Sequence, residues 1–133
     1  MVPLTGAIIV CTPQDVALAD ARKGIALFNL EGIKVPILGL VENMAWFTPA
    51  ELPNNKYYIF GKEGVKKLAD ELNLPLLAQI PLVQSIREGS DSGQPSVLNT
   101  NSETAKIFTE MAQNTAQQVA IKNAAEPVDL VSK

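Results

Sequence analysis

Histidine is absent from the 133 residues, and cysteine occurs once, as Cys11. With no imidazole to act as base and no second thiol, neither a Cys–His nucleophile nor an internal disulfide is available. Cys11 therefore reads as a small core residue of a buried strand. Charge of one sign is also scarce: 11 Lys and Arg stand against 14 Asp and Glu, and no run of five like charges occurs. A broad nucleic-acid-binding face is not expected from that balance. No apolar run approaches the roughly 20 residues that span a bilayer, and Met1 is followed by Val2-Pro3-Leu4-Thr5-Gly6 without a basic start. The expectation is a soluble, cytoplasmic chain with neither nucleic acid nor membrane as partner. Missing too are internal repeats, low-complexity segments and any glycine-rich loop able to cradle phosphate.

What is present is enough apolar content, 47%, for the core of one ordinary domain. The run Ala7-Ile8-Ile9-Val10-Cys11 has the composition of a buried strand and leads straight into Thr12-Pro13-Gln14-Asp15, a helix start with Thr12 as cap and Pro13 in the first turn. Leu18, Ala21, Ile25 and Phe28 give that helix, about 13–29, one apolar face, and Glu31-Gly32 supplies its stop. Pro36 to Val41 reads as a second strand covered on both faces, parallel to the first. Residues 46–60 break the pattern with prolines, Asn54-Asn55 and the aromatics Trp46, Phe47, Tyr57, Tyr58 and Phe60, and a short strand is expected at 57–60. Further elements are expected as a helix at 62–72, a strand at 76–80, a short helix at 84–88, a loop at 89–95 and a helix at 102–122. Thr100 and Glu103 offer a capping box for that last helix, whose apolar face holds Phe108, Met111, Ala112, Thr115 and Val119. Alternating strands and helices predict an α/β doubly wound parallel sheet in a single domain over 1–123, with a frayed tail at 124–133.

Several blocks together resemble one family. Thr5 to Val10, Thr12 to Gly24, Gly39-Leu40-Val41-Glu42-Asn43-Met44, Ile80-Pro81-Leu82, Ile86-Arg87-Glu88 and Asp91-Ser92-Gly93-Gln94-Pro95 are similar, in order and spacing across about residues 3–98, to the Mrp family. These are ATP-binding iron–sulfur cluster carriers related to MinD/ParA-type P-loop ATPases. The resemblance implies a cytoplasmic, homodimeric ATPase that holds a cluster between subunits and delivers it to iron–sulfur apoproteins. It also implies that this chain is a carboxyl-terminal half, a partial P-loop NTPase-like sheet. The family's phosphate loop and Walker B aspartate lie upstream of the matching blocks, so ATP hydrolysis and Mg2+ binding are expected only of an intact parent. Where many members carry Cys-x-x-Cys, this sequence reads Phe47-Thr48-Pro49-Ala50-Glu51-Leu52-Pro53, which puts cluster binding in the usual way in doubt.

The resemblance carries the adenine contact of the family onto Asn43, expected just past a strand end, where its amide can both donate to and accept from a purine edge. Taken alone, an Asn there is an ordinary turn residue. Pro81, Leu82 and Val83 offer either an apolar ledge for the base or a plain strand-to-helix turn, and the family favours the ledge. Asp20 and Arg22 fall where relatives approach the dimer interface and nucleotide, with a solvated helix face as the alternative. Gln14 and Asp15 stand near a helix N-terminus, where capping already accounts for Asp15. Arg87, Glu88 and Asp91 form a charged cluster to which no chemistry is assigned. The aromatic segment is either a loop folded over the sheet or a dimer or client contact. Beside the ATPase reading stands a second one: an interaction or scaffold module that needs no nucleotide.

Overall fold

The computed structural model describes residues 3–125. Three parallel strands form one sheet in the order β1-β2-β3, with β1 at Ala7–Cys11, β2 at Ile37–Phe47 and β3 at Leu76–Leu82. Parallel neighbours need a crossover, and helix α1 (Asp15–Phe28) carries β1 to β2 while α2 (Gly64–Leu72) carries β2 to β3. After β3 come α3 (Gln84–Asp91), a 3-10 turn at Ser96–Leu98 and the long α4 (Glu103–Ala125). The architecture is the α/β winding expected from the alternation of strand and helix patterns.

Two cores sandwich the sheet. On one face Cys11 and Leu40 pack with Ala21 and Ile25 of α1 and Val65, Leu68 and Ala69 of α2. On the other, Val41, Leu77 and Ile80 meet Ile86 of α3 and Ile107, Phe108 and Met111 of α4. Side chains alternate across a strand, so neighbours on β2 serve opposite layers. An irregularity in β3 adds to this: the pairing steps from Leu40↔Leu76 to Val41↔Ala78, leaving Leu77 as an extra residue. Its side chain lies over Gly39, where an added Cβ would stand 2.6 Å from Leu77 Cγ. Asn114 Nδ2 of α4 donates to the Leu77 carbonyl at 3.0 Å and so ties the bulge to the helix above it.

Element edges differ from the sequence expectation where tertiary contacts set them. α1 begins at Asp15 rather than Pro13, and Thr12 is not its cap; the N-cap position is Gln14, whose side chain makes no capping bond. Pro13 is buried and its carbonyl underlies the 61–64 turn, so it is held as a packing surface instead of a first helical turn. α2 starts at Gly64, after Glu63 in a left-handed conformation (φ 56°). The strand expected at 57–60 reduces to one antiparallel bridge, Phe47↔Tyr57, closed by backbone bonds of 2.7 and 2.9 Å. α3 continues through Gly89-Ser90-Asp91, residues read as loop from composition. Ser102, not Thr100, caps α4: its Oγ accepts from Ala105 N–H at 3.0 Å. Ala112 is exposed, since the sheet-facing stripe of α4 runs through the buried Thr104 and Ala105 and the half-buried Phe108 and Met111. Of the expected tail, Ala124 and Ala125 complete α4 and the remainder lies outside the described residues.

Candidate functional site

β2 runs six residues further than expected, so Asn43 lies inside the strand, paired with Ile80, and not past its end. The pairing is interrupted immediately afterwards and resumes only at Phe47↔Leu82. Met44, at the break, has a left-handed backbone with φ 54°. Its N–H turns back and donates to Asn43 Oδ1 at 3.0 Å. β3 likewise extends through Pro81 and Leu82, and Val83 takes the N-cap position of α3. Asn43, Pro81, Leu82 and Val83 thereby line one cavity of about 410 Å³. Val10, Val41, Ile80 and Ile86 also line it, together with Phe108 and Met111 of α4. The volume lies in the range of ordinary ligand pockets, roughly 300–1,000 Å³, and the lining is largely apolar with few polar groups, as such pockets are.

The other candidates lie apart from this cavity. Asp20 is exposed on α1 and borders a second groove of about 500 Å³ along β1, with Cys11, Ala17 and Gly24. Arg22 forms an exposed ion pair with Glu71 of α2 and so bridges two helices on the opposite side of the sheet. Gln14 and Asp15 are exposed at the start of α1. Arg87 touches the rim of the first cavity but pairs with Asp91 at 3.2 Å, and Glu88 accepts from Gln84 Nε2 at 2.6 Å. The aromatic segment is folded: Lys56 Nζ sits 4.0 Å over the Trp46 ring, while Leu52, Tyr57, Tyr58 and Ile59 remain exposed.

Sequence reasoning passed over Glu42. Its side chain is 1% exposed, and its two oxygens accept from Val65 N–H and Gln79 Nε2, each at 2.8 Å. Glu63 makes no side-chain cap on α2, so a carboxylate from the sheet satisfies an orphan helix donor in its place. The signal was legible: an acid inside a run buried on both faces must find partners. Cys11 donates its thiol to the Thr12 carbonyl at 3.1 Å. Burial, then the negative charges of Glu42 and Asp20, push that thiol above its ordinary pKa, which disfavours a reactive thiolate.

The residues present can be tested against a nucleotide. The base end fits, because an apolar slot with an amide at its edge matches a purine. The phosphate end does not, because the strand-to-helix turns at 12–14 and at 83 carry no glycine-rich loop. Among the described residues no group of three or more His, Cys, Asp or Glu could hold a metal ion, and none of the helices is long and apolar enough to cross a membrane.

A parallel sheet wound by helices is the fold this chain shares with MinD-like P-loop ATPases. The cell division ATPase MinD of Pyrococcus furiosus superposes with a TM-score of 0.60 at 29% identity, over 85% of this chain and 43% of that one. A nucleotide-binding protein from Archaeoglobus fulgidus, solved in complex with ADP, gives 0.58 at 33% identity over 68% and 36%. A family model described as ParA, the NUBPL iron-transfer P-loop NTPase, matches residues 1–116, and the chain belongs to that family. An iron–sulfur cluster carrier protein of Synechocystis is 46% identical over 90% of this chain and 34% of its own length. The mitochondrial iron–sulfur protein required for NADH dehydrogenase of Arabidopsis thaliana is 51% identical over 84% and 35%. The chain thus spans about a third of the length of these curated relatives.

Proposed function

We propose that this chain supplies the adenine-recognition side of an ATP-binding iron–sulfur cluster carrier, together with part of its dimer or client surface. The observation that carries the reading is the meeting of Asn43 with Pro81, Leu82 and Val83 in one apolar cavity beside the break in β2–β3 pairing. A solved relative with ADP supports nucleotide as the ligand class. The apolar ledge takes the face of the base, and the Asn43 amide reads its edge. Phosphate and Mg2+ chemistry belong to residues of an intact protein, so the chain by itself binds adenosine weakly and turns over no ATP. The cluster is cargo in this reading, passed to iron–sulfur apoproteins. The 47–53 segment has no thiol to hold it, and Cys11 is buried in β1. A cytoplasmic homo-oligomer remains the expected form.

Calorimetric titration with adenosine, ADP and guanosine tests the reading. Adenosine and ADP should bind with similar affinity, because no group cradles the phosphates, and guanosine should bind more weakly. Asn43→Ala should cost about tenfold in adenosine affinity, the order expected for losing a paired contact to a base edge. Binding unchanged by that substitution would sink the adenine assignment. Absence of any nucleoside binding would favour the scaffold reading, for which the exposed Leu52, Tyr57, Tyr58 and Ile59 are the supporting observation.

A further inference from the structure

Apart from the cavity at Asn43, residues of α3, the 3-10 turn and the start of α4 line another of about 420 Å³, within the size range of ligand pockets. Its wall is fixed by a close backbone approach, in which Gln94 N–H donates to the Gly89 carbonyl at 2.7 Å. An added Cβ at Gly89 would stand 2.6 Å from the Gln94 carbonyl oxygen, so the approach requires glycine. The polar lining is neutral and includes Ser96, Asn99 and Thr104. Pro95 and Leu98 supply an apolar side, and Leu98 is 71% exposed.

Thr104 is the informative member of that lining. It is only 8% exposed, yet its hydroxyl makes no hydrogen bond among the described residues. Thr109 and Thr115 of the same helix instead donate to the carbonyl one turn back, at 2.9 and 2.7 Å. A hydroxyl so buried is ordinarily paired, and the partner it lacks within the chain can come only from the cavity it lines. Thr104 is also the second residue of a 23-residue helix. Ser102 Oγ accepts from Ala105 N–H and donates to the Asn99 carbonyl, so the cap is already used. The N–H groups of Glu103 and Thr104 have no acceptor among the described residues, at the positive end of the helix dipole. Donors without acceptors at that end favour a negatively charged oxygen. No charged residue lines the cavity, and those flanking its lining positions, Glu88 and Glu103, are exposed acids. They oppose a multiply charged anion more than a singly charged one.

We propose that this cavity binds a carboxylate bearing an apolar substituent: its oxygens accept from the Thr104 hydroxyl and the N–H groups at the start of α4, and its apolar part lies on Pro95 and Leu98. Hexanoate, hexanol and inorganic phosphate are titrated into the full chain, with amide chemical shifts as the readout. Hexanoate should shift the Glu103 and Thr104 amides saturably and bind about tenfold more tightly than hexanol, the order of one hydrogen bond to a charged group. Phosphate, with its greater charge, should bind more weakly than hexanoate. Thr104→Val puts a methyl in place of the hydroxyl and should cost hexanoate about tenfold, while Thr104→Ser should keep most of the affinity. Because that hydroxyl has no partner to lose, Thr104→Val should leave the Tm unchanged or raise it. A lowered Tm would reveal a structural partner and overturn the assignment. Hexanoate affinity unchanged in Thr104→Val, or shifts centred on Asn43 and Ile80, would overturn it equally. Phosphate bound as tightly as hexanoate would rule out the carboxylate class. The tripeptide Gly-Gly-Leu and its carboxamide separate two sources of such a group. A free peptide that binds more tightly than hexanoate assigns a protein carboxyl terminus, and one that binds more weakly assigns a small organic acid. A carboxamide bound as tightly as the free peptide counts against the proposal.

Discussion

Glu42 and Asn43 are adjacent on β2 and point to opposite layers, one into the core beneath α2 and the other into the cavity. That alternation lets one short stretch fasten a helix and present a recognition group together. The carboxylate is fully paired, so its removal leaves the Val65 N–H and the Gln79 amide without their acceptor inside the protein. Glu42→Ala should therefore destabilise by about 3 kcal/mol, within the range for breaking a buried charged hydrogen-bond set. Urea unfolding checks it, and a loss under about 1 kcal/mol would mean that water replaces the carboxylate. The sequence singled out Asn43 through its family motif but passed over Glu42. That an acid inside an apolar run needs partners was legible, but that its partner is a helix start 23 residues away was not.

Among the elements, the strand expected at 57–60 is reduced to a single bridge, while the other strands and helices appear where periodicity placed them and differ at their ends. Thr12-Pro13 has the composition of a helix start, yet Pro13 is held in contact with the 61–64 turn, and α1 begins two residues later. Gly64 shows the constraint: an added Cβ would stand 2.7 Å from the Pro13 carbonyl and 3.0 Å from Leu18 Cδ1. Gly64→Ala, which raises helix propensity, should nonetheless lower stability by about 1–3 kcal/mol through overpacking. A thermal melt decides the sign, and a raised Tm would show that the turn can move away from α1. The cap of α4 moved from Thr100 to Ser102 for a similar reason, because both residues have capping chemistry and only the path of the 3-10 turn chooses between them.

At the scale of the molecule, β1 is an edge strand whose far side has no partner among the described residues. Val10 is 62% exposed and Ile8 38%, although purely parallel sheets are ordinarily covered on both faces. An open apolar edge favours pairing with another chain. The chain should accordingly self-associate, and sedimentation should give a mass that rises with concentration, while Val10→Lys should hold it monomeric. A strictly monomeric unmodified chain at all concentrations would count against the homo-oligomer. The sequence by itself determined the winding, because strand and helix periods are local and survive any arrangement of neighbours. Through the family motifs it also raised the expectation that Asn43 and Pro81 to Val83 belong together. Only the tertiary structure decided that they share one cavity and that Glu42 anchors α2. Those depend on strand register and on the docking of α2, and both are set by contacts between segments far apart in the chain.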